Sequence, residues 1–191
     1  MAKSIKRDPK TGKFEDKWTK RSGEVTVTMR DDHVIYGSSE SDDYFIENNI
    51  AGVTHWLGFS KILSNKIMTD FDLMFLGIDG ITKASITTLA GHLGISRKYI
   101  SENIFDVSVK TLERKESKAK MDKKTSSHAL EIAKVVQHAH EVFRDEEKVK
   151  RWLNKENQAL HDRKPVELFD TLTGISMVND LLGRIEEGVY S

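Results

Sequence analysis

Apolar residues fall at helical spacing over most of this chain. Trp56, Phe59, Ile62 and Leu63 form one such set, and Phe71, Met74, Phe75 and Ile78 form a second, closed by the stretch Gly77 to Gly80. Ile86, Leu89, Ala90 and Leu93 form a third, ended by Gly94, with Ser96 placed to cap the next helix. From Ser127 to Glu141 the positions Ile132, Ala133, Val136 and Ala139, with Phe143 just beyond, mark a long amphipathic helix. A short helix follows at Val149, Trp152 and Leu153, and another is expected to start at Pro165. Gly174 reads as a separator before a last helix carrying Ile175, Val178, Leu181, Leu182 and Ile185, with Gly188 as its stop. The stripes are one-sided, which predicts a bundle of about seven or eight helices sharing one core.

The first third of the chain follows another period. Glu24 to Arg30, EVTVTMR, alternates apolar and polar residues as a strand does, and His33 to Tyr36 is a candidate partner across a short turn. Residues 1–22 are polar and Lys-rich and read as a flexible basic arm. The expected division is an arm at 1–22, an extension with the hairpin at 23–60, a helix-turn-helix domain at 61–145 and a small helical domain at 146–191. The fold class is therefore mainly α, a helical bundle with a short N-terminal β-hairpin and arm.

Composition removes several classes of function. There is no cysteine among 191 residues, so disulfides, iron–sulfur clusters, thiolate zinc sites and a cysteine nucleophile are excluded together. The start lacks the apolar core of a signal peptide, and the longest apolar run, Leu73 to Ile78, is far shorter than a membrane span. The chain reads as soluble and cytoplasmic, with no membrane partner. Formal net charge is zero but unevenly spread. Met1 to Arg21 has eight basic and three acidic residues, Asp31 to Glu47 has six acidic residues and no Lys or Arg, and Arg97 to Lys124 has nine basic against five acidic. Such basic blocks are compatible with nucleic acid, but on charge alone solvated faces are the preferred reading.

Ser96 to Lys120 carries the first candidate chemistry. Ser96 caps a helix through Tyr99, Ile100 and Ile104, Phe105-Asp106-Val107 makes a tight turn, and Ser108 caps a second helix through Leu112. A helix, a tight turn and a second helix presenting Lys110, Thr111, Arg114, Lys115 and Lys118 is a helix-turn-helix arrangement. Its short donors can reach base edges while its cations neutralise phosphates. His128, His138, His140 and His161 are the other candidates. His138 and His140 point to opposite sides of a helix and lack the i, i+4 spacing of a helical zinc pair, so they read as network or solvent-facing residues. No metal site and no cofactor are expected. The sequence contains no phosphate-binding glycine loop, no Gly-x-Ser-x-Gly elbow and no His-Glu-x-x-His, and it is read as non-enzymatic.

The last forty residues are more specific. Trp152-Leu153, Asn157-Gln158-Ala159-Leu160, Pro165-Val166-Glu167-Leu168, Gly174 and Leu182 to Tyr190 occur in one ungapped run. That run closely resembles the C-terminal domain of the Xre/MbcA/ParS antitoxins of RES–Xre toxin–antitoxin systems. The region from about Leu76, including GITKASITTLAGHLGISRKYISENIFDVSVKTLERK, resembles the family's Xre-type helix-turn-helix. It departs from the family at the turn, where Phe105-Asp106 replaces Leu-Gly.

The resemblance implies an antitoxin of a type II module. Its partner would be a RES-domain toxin that consumes or transfers from NAD, blocked by insertion of the antitoxin's C-terminal end. It implies Arg184, Glu187, Gly188, Val189, Tyr190 and Ser191 as toxin-binding residues. Val189 and Tyr190 would fill an apolar slot, while Arg184, Glu187 and the Ser191 carboxylate would make polar contacts. It implies operator DNA as a second partner, contacted by Ser108, Lys110, Thr111, Arg114, Lys115 and Lys118 for autoregulation. It further implies a homodimer and a higher-order toxin–antitoxin complex. Two alternatives stay open: a helix-turn-helix transcriptional repressor with no toxin-blocking role, and a domain that has lost DNA binding and serves as scaffold.

Overall fold

The structure, a computed structural model, describes residues 17–19, 24–30, 33–37, 50–59 and 69–188. The sequence features at 1–16, most of the acidic stretch 31–47, Ile62 and Leu63, and Val189 to Ser191 lie outside them. The chain divides into two compact units, Met1–Asn48 and Asn49–Ser191. The first holds a three-stranded antiparallel sheet in sequence order: β1 (Lys17–Thr19), β2 (Glu24–Arg30) and β3 (His33–Gly37). Trp18 pairs with Val25, and Val27 pairs with Tyr36.

The second unit is helical, and the molecule is mainly α. Its elements are α1 (50–56), α2 (Asp70–Asp79), α3 (Lys83–Leu93) and α4 (Arg97–Tyr99), which widens into a π-turn at Ile100–Ile104. Then come α5 (Val109–Arg114), α6 (Lys123–Phe143), α7 (Glu146–Leu153), two 3-10 turns at Gln158–Leu160 and Pro165–Asp170, and α8 (Leu172–Glu186). Most starts are marked by a side-chain oxygen accepting a backbone N–H. Thr69 and Asp72 form a reciprocal capping box, and Thr82, Ser96, Asp122, Asp145 and Thr171 each cap the helix that follows. Each such cap stabilises its helix by about 1 kcal/mol.

One core joins these helices. Ile86, Leu89, Leu93, Ile132, Val136, Leu153, Phe169 and Leu182 are fully buried in a single cluster that runs from Ile50 to Leu182. The helix α6 is its axis, and α2, α7 and α8 pack on it. Helix α1 approaches α6 closely because Gly52 has no side chain: a Cβ there would lie 2.0 Å from Gln137 Oε1. Trp56 Nε1–H donates to that same oxygen at 2.9 Å, so the polar atom left facing the core is paired.

Three readings of the sequence are corrected. The stripe Phe71, Met74, Phe75 and Ile78 does not face the core; α2 buries Leu73 and Gly77 instead and leaves those four side chains about half exposed. The small Gly77 allows contact with Ser127 and Leu130 of α6, so the helix seats on its narrow side. Gly174 does not separate two helices. It sits in the first turn of α8, where a Cβ would meet the Leu168 carbonyl oxygen at 2.0 Å; the boundary is Thr171, whose hydroxyl accepts from Gly174 N–H. Helix α6 also begins earlier than its apolar pattern, at Lys123, because Asp122 caps it.

Candidate functional site

The C-terminal part of the helical unit is fixed by polar clamps around apolar anchors. Val149 and Leu153 of α7 enter the core, and Trp152 lies against Phe143 with ring centroids 5.4 Å apart. Asn154, just past α7, donates from Nδ2 to the Leu93 carbonyl at 2.7 Å and to the Lys150 carbonyl at 2.8 Å. It thereby ties the end of α7 to the orphan carbonyls at the end of α3. Asn157 then turns the chain, accepting from Ala159 N–H at 2.9 Å and bridging to Arg163. His161 and Asp162 both take positive φ in that turn. Pro165 opens the second 3-10 turn, which delivers Val166 and Phe169 into the core.

Two histidines close the contact between α6 and this segment. His128 Nε2–H donates to the Phe169 carbonyl at 2.7 Å. Burial lowers the His128 pKa, opposed by that same hydrogen bond. His138 lies between Asn179 at 2.8 Å and Glu186 at 3.4 Å. His140 stacks edge-on to Trp56. These are network histidines, and among the described residues no group of His, Asp and Glu is arranged to hold a metal. An open groove of about 810 Å³ runs between α6 and α8, with Lys124, His128, Glu131, Lys134, Leu172 and Ser176 on its walls.

The last helix ends at Glu186. Gly188 takes a left-handed φ of 72° and donates its N–H to the Ile185 carbonyl at 3.1 Å, a C-terminal turn that redirects the chain. Arg184, Glu187 and Gly188 are exposed beside it, while Leu181 and Leu182 are buried beneath. Of the six residues assigned to toxin binding, these three are therefore brought together on one end of α8. Val189, Tyr190 and Ser191 lie outside the described residues.

The expected DNA-binding residues gather on α5 and its flank. Asp106 holds the turn with φ 53°, the left-handed conformation that short polar side chains tolerate. Ser101 Oγ donates to the Val107 carbonyl and Val107 N–H returns to the Ser101 carbonyl at 2.8 Å, which locks α5 against the π-turn. Ser108 occupies the cap position but makes no side-chain cap bond. Leu112 anchors the helix, and Ser108, Lys110, Thr111, Arg114 and Lys118 are exposed, with Lys115 half-buried.

Sequence reasoning missed two contacts here. Lys83 Nζ donates to the Glu113 carbonyl at 3.0 Å and to the Lys115 carbonyl at 2.7 Å, capping the end of α5 from the start of α3. Glu102 Oε1 accepts from Val109 N–H at 3.5 Å, so a carboxylate faces the N-terminus of α5, where unpaired N–H groups would otherwise favour phosphate. Both partners lie far from α5 in sequence or on the previous helix, where only the fold brings them together. Asn154 was also missed, although an Asn just after an apolar helix end is a recognisable C-cap signal.

Among the described residues no helix is long and apolar enough to cross a membrane. No curated protein matches the chain. Residues 138–188, from the middle of α6 to the turn at Gly188, match the family described as the antitoxin Xre/MbcA/ParS C-terminal toxin-binding domain. Over that segment the chain is similar to the toxin-binding domain of the Xre/MbcA/ParS antitoxins, which supports an antitoxin role with a toxin as partner.

Proposed function

We propose that this protein is the antitoxin of a type II toxin–antitoxin module and neutralises a RES-domain, NAD-consuming toxin by steric block. The observation that carries this reading is the match of residues 138–188 to a toxin-binding domain. Its last matched residue is Gly188, whose left-handed φ closes the turn after α8. The segment Val189 to Ser191 enters the toxin's NAD site, the tyrosine supplying a flat apolar plug. Arg184 and Glu187, exposed on the last turn, pair with toxin groups around the mouth of that site. Neutralisation needs no cofactor and no chemistry of the antitoxin's own. The test is deletion of Val189 to Ser191, followed by measurement of NAD loss with a RES toxin. Suppression weakened at least tenfold is expected, and full suppression by the truncated protein refutes the plug.

The same chain binds its operator as a homodimer and represses its own promoter, within a higher-order complex with the toxin. Supporting this is the exposed set Lys110, Thr111 and Arg114 on one short helix, with Lys118 on its flank. Replacing Arg114 and Lys115 with Ala should weaken operator binding and flatten its salt dependence, because fewer phosphate counterions are released. The competing reading, a repressor without a toxin-blocking role, predicts operator binding with no effect on NAD loss.

A further inference from the structure

The helix α2 displays an apolar stripe that none of the described residues of its own unit covers. Phe71 is 56% exposed, Met74 48%, Phe75 52% and Ile78 50%. Four large apolar side chains at positions i, i+3, i+4 and i+7 form one continuous face. They expose on the order of 400 Å² per chain, at the size where patches on soluble proteins mark interaction sites. The helix holds no Lys or Arg and carries Asp70, Asp72 and Asp79.

We propose that this face is the surface on which two copies of the chain associate, α2 against α2, antiparallel about a two-fold axis. The stripe is self-complementary under that symmetry. When Met74 lies opposite Phe75 of the partner subunit, Phe71 lies opposite Ile78 of the partner subunit, and each apolar position meets another. Asp70 then lies opposite Asp79 of the partner subunit. That repulsion is relieved within each copy, because Lys120 pairs with Asp79 at 2.5 Å and is more than half exposed, so it can serve the incoming Asp70 as well. Doubled, the stripe buries on the order of 800 Å², the apolar centre of an interface whose standard total is about 1,600 Å². Met and Phe are the residue types enriched at such centres. The inference deepens the homodimer reading by naming its surface, and it does not depend on the toxin.

Sedimentation equilibrium of the full chain tests it. A concentration-dependent dimer is expected for the native protein, with at least tenfold weaker association for Met74→Glu combined with Phe75→Glu. Helix content and Tm of the double variant should be nearly unchanged, since both side chains are surface residues. The chain has no native cysteine, which gives a second readout. A mixture of Phe71→Cys and Ile78→Cys proteins should form a disulfide-linked heterodimer on oxidation, and neither alone should cross-link efficiently. A strictly monomeric native chain overturns both the surface and the homodimer. A dimer that ignores the two glutamates overturns the surface alone, and cross-linking of Phe71→Cys by itself overturns the antiparallel pairing.

Discussion

The C-terminal segment and the basic helix α5 are built by opposite means. From α7 onward each turn is clamped twice, by an apolar anchor and by a side chain hydrogen-bonded to the backbone: Leu153 with Asn154, Leu160 with Asn157, Phe169 with His128. Helix α5 has six residues, one buried anchor in Leu112, and termini held by Lys83 and Glu102 from other helices. The first region presents its end as part of a solid body. The second presents a few cations on a platform that the rest of the molecule props up. An isolated helix of six residues is far below the length that is stable in water, so α5 exists by tertiary support.

The largest break in this contrast should come from Phe169→Ala. Phe169 is fully buried, and truncating such a side chain costs about 3–5 kcal/mol. Urea unfolding should show the loss directly, and toxin inhibition should weaken with it. Gly174→Ala comes next, at about 1–3 kcal/mol of overpacking, because its methyl meets the Leu168 carbonyl. A Tm equal to the native value would contradict that close approach. Asn154→Ala should cost about 1–2 kcal/mol, leaving the Leu93 carbonyl without its side-chain partner. By contrast, Lys110→Ala with Arg114→Ala should change stability by less than about 0.5 kcal/mol while weakening DNA binding in a gel shift.

Acid should sharpen the comparison from the same side. Burial lowers the pKa of His128 and of His92 below the ordinary 6.5, so the native state binds protons less readily than the unfolded chain. Their contribution is complete above 6.5 and is lost as pH falls through that value towards the folded pKa. The urea midpoint should therefore drop between pH 7.5 and 5.5. His128→Gln should flatten part of that drop, whereas changes at the exposed cations of α5 should leave it intact.

Much of the helical unit was legible because its signals are local. Ile86, Leu89, Ala90 and Leu93 are all buried, Gly94 takes the left-handed cap and Ser96 caps the next helix, each readable within a few residues. The C-terminal segment was legible for the same reason, with Pro165 marking the start of one element and Gly188 the stop of the last helix. What failed was whatever depended on a distant neighbour. Periodicity showed that α2 is amphipathic, but its seat was decided by Gly77 meeting α6. Gly174 was read as a break because a glycine's usual effect is on its own backbone, whereas here it makes room for the carbonyl of Leu168. Arg184, Glu187 and Gly188 came from family resemblance, and the structure places them on one exposed helix end.

Helix α3 reaches both regions. Lys83, its first residue, holds the carbonyls at the end of α5, and the carbonyl of Leu93, its last, is held by Asn154. Eleven residues make a strut of about 16 Å. A strut gripped at both ends transmits tilt rather than absorbing it, so leverage applied at one attachment arrives at the other as displacement.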